Sequence, residues 1–172
     1  MRNIVLVLGA MALFTGCASK EEKAFIRSYE KQKPYHKKLQ KTEKIQLYDG
    51  EDTKALLTAT YLFEPGLEKK DERDETFIVG VYLEEETMQT FDRGGFSLTL
   101  DGKIPKSIKK LEKNDPQLDD IPFVTEWNQF YFVTFPHVSS KSFKLIFESD
   151  LYGRGELHFA KVAKYVLTKK VL

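Results

Sequence analysis

Three histidines, His36, His137 and His158, are the side chains best suited to proton transfer or metal binding near neutral pH. Their spacing assembles nothing locally. No two stand three or four residues apart, and no H-E-x-x-H or C-x-x-C is present. His36 falls in a charged stretch and His137 follows Pro136 in a loop. His158 alternates out of phase with Leu157 and Phe159, which predicts the solvated face of a strand. Carboxylates gather at residues 71–75, at Glu84-Glu85-Glu86 and at Asp119-Asp120. Acid–base catalysis needs two carboxyls in unlike environments. These runs are expected in exposed loops with ordinary titration, and no calcium-loop spacing accompanies them. The nucleophile-elbow and phosphate-loop patterns are absent, and Asp92-Arg93-Gly94-Gly95 reads as a hairpin loop. Ser139, Ser140 and Ser142 make a polar turn with no base at a useful spacing. We therefore expect no catalytic residue, metal ligand or cofactor.

One side chain has an assignable chemical fate. Arg2 gives a positive start, residues 4–14 (IVLVLGAMALF) form an apolar run, and Thr15-Gly16-Cys17-Ala18-Ser19 follows. The run is well short of the ~20 residues a helix needs to cross a bilayer. A positive start, a short apolar stretch and small residues describe a secretory signal peptide. Thr15-Gly16-Cys17 resembles the lipobox of bacterial lipoproteins, with Phe14 where that pattern most often has Leu. The resemblance implies cleavage before Cys17 and acylation of its thiol. Ala18, in place of Asp, implies the periplasmic face of the outer membrane. Cys17 is the only cysteine, so a body that begins there has no disulfide or thiolate site of its own.

A chain of residues 17–172 is long enough for one domain with a real core. Its formal neutrality hides an asymmetry. Residues 20–41 hold eight basic and three acidic side chains, whereas residues 42–172 hold eighteen basic and twenty-three acidic ones. The basic stem is either a solvated spacer or a partner for anionic head groups. An acidic body argues against nucleic acid as a partner.

The elements that would position any site divide into a leader (1–16), a stem (17–41) and a body (42–172). Ala24, Phe25 and Tyr29 predict a short helical face in the stem that Pro34 stops or kinks. The body reads as strands. They are expected around Ile45–Tyr48 before Asp49-Gly50, along residues 54–63, through the apolar run 76–83, at 96–100 before Asp101-Gly102, and weakly at 104–111. Further strands follow at 130–135, 142–149 and 156–161, the last after a turn at residues 152–155, with an edge strand or frayed end at 164–171. Seven or eight short strands with regular turns predict an all-β antiparallel sandwich, immunoglobulin-like, with a small lipocalin-like barrel as the alternative. Phe130, Tyr131 and Phe132 read as core. Trp127 is expected to plug one end of that core, and Tyr152, beside Gly153, to be exposed. Tyr152, Trp127 and His137 are the candidate contact residues.

The order of features also carries a resemblance. Ala59-Thr60-Tyr61-Leu62 is followed by Phe77-Ile78-Val79-Gly80-Val81-Tyr82, then by Asp101-Gly102 with Ile104-Pro105, and by Pro122-Phe123 ahead of Trp127. Residues 131–136 (YFVTFP) then precede Gly155-Glu156-Leu157-His158-Phe159. This resembles a group of uncharacterised proteobacterial lipoproteins with a single β-sandwich body. It implies fold and location, and no active site. The expected function is a lipid-anchored envelope module that binds or supports another envelope component, without catalysis. The alternatives are a small-ligand binder with an internal cavity and, third, an envelope hydrolase, which clustering of His137 or His158 with a carboxylate would favour.

Overall fold

In the computed structural model, which describes residues 20–66, 71–84 and 95–161, strand alternation resolves into eight antiparallel strands in two sheets. They are β1 (Thr42–Asp49), β2 (Asp52–Tyr61), β3 (Glu75–Leu83), β4 (Phe96–Leu100), β5 (Ser107–Leu111), β6 (Gln129–Phe135), β7 (Ser142–Ser149) and β8 (Gly153–Ala160). The larger sheet has the order β1-β2-β3-β6-β5 and the smaller one β4-β7-β8. The described strands form two open sheets, so the barrel alternative is not the architecture. Because β3 and β4 belong to different sheets, the chain between them crosses from one to the other. The hairpin loop expected at Asp92–Gly95 lies outside the described residues except for Gly95.

Period-2 alternation explains the core. Leu57, Ala59 and Tyr61 of β2, Phe77, Val79 and Val81 of β3, and Tyr131, Val133 and Phe135 of β6 all face the smaller sheet. From that sheet Phe96, Leu98, Leu100, Phe143, Leu145, Phe147, Leu157 and Phe159 close the layer. Burying each large apolar side chain is worth about 1.5–3 kcal/mol, so this layer dominates stability. The run 76–83 is buried on both faces, as its continuous hydrophobicity predicts. Ile78 and Phe130 point away from the smaller sheet into a second cluster with Leu111, Leu118 and Ile121. Two glycines permit the close approaches. A Cβ on Gly80 would stand 2.7 Å from the Phe130 ring and from Thr58 Oγ1, and one on Gly155 would overlap the Ile45 side chain where β8 meets β1.

Ahead of the strands lies α1 (Lys20–Leu39), with Glu21 and Glu22 in its first turn and His36, Lys37 and Lys38 in its last, each suited to the helix dipole. The helix does not stop at Pro34, contrary to expectation. Proline removes one backbone hydrogen bond, but the turn beyond it is held from outside the helix. Thr42 Oγ1 donates to the Lys38 carbonyl at 2.8 Å, Lys38 Nζ to the Asp119 carbonyl at 2.6 Å, and Lys37 pairs with Glu64 at 2.7 Å. The chain forms two compact units divided between Lys33 and Pro34, so this last turn belongs with the strands. No described helix is long and apolar enough to cross a membrane. Cys17 and residues 164–171 lie outside the described residues.

Candidate functional site

Residues 112–128, between β5 and β6, carry the most unusual surface of the body. Asp115 starts a single 3-10 turn (Pro116–Leu118), its carboxylate accepting from the Gln117 N–H at 2.9 Å. Leu118 and Ile121 then bury themselves against Ile78, Leu111 and Phe130, so the loop lies over the outer face of the larger sheet. Lys38 holds its Asp119 carbonyl from one side, and the loop closes on the buried Asn128. This fixed frame exposes apolar side chains. Phe123 is 43% exposed, Val124 42% and Trp127 78%. Phe123 also sits at φ 61° and Asp120 at φ 59°. A bulky residue in that left-handed region costs about 1–2 kcal/mol. Lys44 Nζ lies 5.5 Å from the Phe123 ring centroid.

Trp127 therefore does not plug the core. Its neighbours Asn128 and Phe130 are buried while the indole stands in solvent, because the strand begins only at Gln129. Tyr152 differs from expectation in the opposite direction. It is partly buried, its ring 6.3 Å from Phe96, and its backbone N–H donates to Ser149 Oγ. The turn between β7 and β8 exposes Leu151 and folds Tyr152 back onto the core. Phe130 and Tyr131 are buried and His158 is exposed, as their phases predict.

The second unusual region is polar and buried. Glu75, expected in an exposed loop, is only 1% exposed. It accepts from the Tyr61 hydroxyl, from the Val138 N–H at 2.9 Å and from Lys161 Nζ at 2.6 Å. His137 Nδ1 is 3.4 Å from the same carboxylate and 2.9 Å from the Arg73 carbonyl. A carbonyl only accepts, so Nδ1 carries the proton. Aromatic rings surround the group: Tyr61 stacks on Phe77 at 4.9 Å and on Phe63 at 5.7 Å, and meets Phe143 edge-on at 5.2 Å. Burial, then the neighbouring Glu75, pushes the Tyr61 phenol far above its ordinary value.

Just outside this cluster the charges do not titrate ordinarily either. Hydrogen bonds from Arg73 hold Asp71 well below the carboxylate range. For Glu64, burial acts to raise its value, but Lys37 and Lys41 together outweigh it and the net shift is downward.

Chemically, the two regions differ. Glu75 beside His137 supplies the carboxylate–imidazole pair a hydrolase would use, yet every Glu75 contact serves to join strands and loops. The nearby Ser140 hydroxyl donates to the Ser142 carbonyl at 2.6 Å. Among the described residues, no three His, Cys, Asp or Glu side chains converge as a metal site would require. Sequence reasoning overlooked Tyr61, Glu75, Lys161, Phe123 and Val124. A signal for the first three was present: Glu75 is in phase with Phe77 and Val79, Lys161 with Leu157 and Phe159, and Tyr61 with Leu57 and Ala59. Compared with known proteins, the chain matches no family model, no curated protein and no solved structure.

Proposed function

We propose that this is a lipid-anchored lipoprotein of the bacterial cell envelope, acylated at Cys17, whose body is a non-catalytic contact module for another envelope protein. The observation that carries the contact reading is the firmly held loop that leaves Phe123, Val124 and Trp127 in solvent. Exposed apolar side chains grouped on an ordered frame mark interaction surfaces, and tryptophan is the residue most enriched among binding hot spots. The anchor reading rests on residues 1–19 and on the basic stem after them, and outer-membrane placement rests on Ala18. Similarity to single-domain β-sandwich lipoproteins belongs to the same proposal.

For the fold, we read the sandwich as immunoglobulin-like. The support is strand order. Setting β1 aside, β2-β3-β6-β5 facing β4-β7-β8 follows the ABED/CFG arrangement of a seven-strand constant-type domain. On that reading β1 is an added edge strand beside the first.

Two experiments test the function. Cys17→Ser is expected to accumulate as slowly processed precursor that takes up no labelled palmitate; continued labelling would refute acylation at this residue. Crosslinking the acylated protein in its native envelope is expected to recover one stoichiometric protein partner. A Phe123→Ser/Trp127→Ala chain is expected to lose it, and recovery undiminished by those changes would refute the loop as the contact surface.

A further inference from the structure

The first two-thirds of α1 carries a second, independent feature. Lys20, Lys23, Arg27 and Lys31 follow one another at intervals of three, four and four residues, which places them on a single helical face. Glu30 borders that face, while Glu21 and Glu22 fall to its other side. All four cations are exposed, and among the described residues none of them has an ion-pair partner. Some lysines of the body, by contrast, do have a carboxylate partner. Lys37, Lys41, Lys54, Lys106, Lys144 and Lys161 each sit within 4.0 Å of a carboxylate. A row of exposed cations beginning three residues after the proposed acylation site is free to meet anions from outside the described chain.

We infer that this face of α1 lies along the membrane surface, with Lys20, Lys23, Arg27 and Lys31 against anionic phospholipid head groups. The inference rests on the proposed anchor at Cys17, which fixes a lipid surface next to the helix. Charge complementarity selects the occupant: anionic lipids attract juxtamembrane basic segments, and one lipid modification commonly works with a basic patch. Phe25, 72% exposed, lies on the opposite side of the helix from the basic face. Contact is accordingly through charge and not through inserted apolar side chains, which makes full salt sensitivity part of the inference.

The test uses the acylated chain on vesicles of phosphatidylcholine alone, or of two parts phosphatidylcholine to one part phosphatidylglycerol, with trypsin as the probe. Cleavage after Lys23, Arg27 and Lys31 is expected to be at least tenfold slower on the anionic vesicles. The difference is expected to vanish at about 0.5 M salt, where screening shortens to a few ångströms. Equal rates on both vesicles, or protection that survives the salt, would overturn the inference. So would protection by purified peptidoglycan and not by anionic vesicles. Flotation with the neutral vesicles reports the acyl anchor separately. A chain that floats only with anionic vesicles, and is released by salt, has the helix contact without the anchor.

Discussion

The Glu75 end of the body and the loop over its larger sheet invert the ordinary rule of burial in opposite ways. At one, a carboxylate and a phenol are buried and an ammonium is partly buried; at the other, two aromatic rings and a valine are exposed. The buried group finds every partner within the chain: Tyr61, Val138 and Lys161 surround Glu75. The exposed group has a rigid frame beneath it and solvent above. Internal compensation marks a structural device, and a missing partner marks a place where something else binds. The two regions should therefore respond oppositely to mutation.

The largest effect is expected at the buried pair. Removing one partner of a buried ion pair strands the other, at a typical cost of about 3–5 kcal/mol. Glu75→Ala is expected to lower unfolding stability by that order, read from the urea midpoint. A loss under ~1 kcal/mol would show that Lys161 relaxes to solvent and that the cluster is no latch.

Next in size is a pH effect. The folded value of Tyr61 lies above the 10.0 of an ordinary phenol. Its contribution is thus fully present below pH 10, where both states hold the proton, and declines as pH rises further and only the unfolded state ionises. The slope for one such group is about 1.4 kcal/mol per pH unit. Tyr61→Phe is expected to remove this component from stability measured between pH 10 and 11. An unchanged slope would place the effect elsewhere.

Smaller still is Phe123→Gly. Relief of the left-handed conformation offsets the lost contact with Lys44, so stability should change by less than ~1 kcal/mol. Trp127→Ala is expected to change stability least, within about 0.5 kcal/mol, as for surface substitutions generally. Both are nevertheless expected to weaken partner crosslinking, which Glu75→Gln, if it remains folded, should leave intact. Loss of crosslinking in the Glu75 variant alone would reverse the assignment of the two regions.

Strand positions were legible in the sequence because the body's cores obey period two and its turns carry Asp-Gly and proline signals. The doubly buried β3 was legible from a continuous apolar run. What escaped was where alternation continues through a polar residue. Glu75 and Lys161 extend the core phase of β3 and β8 by one step; the charge of Glu75 made it read as loop, and Lys161 read as a strand end with no inward role. Pro34 was misleading for a related reason: its local penalty is real, and contacts far away in sequence override it. The status of Trp127 could not be read from local pattern at all. Whether an indole next to a strand fills the core or stands outside depends on where the loop anchors, and Leu118 and Ile121 take the buried places. Tyr152 escaped likewise, since turn geometry selects which of two adjacent residues folds inward.

The most direct test of the contact assignment is a photo-crosslinking residue placed at position 127 of the acylated chain in its native envelope, with the exposed position 148 on the smaller sheet as control. One discrete protein adduct at 127, and none at 148, is the predicted result. No adduct at 127, or the same adducts at both positions, would contradict it.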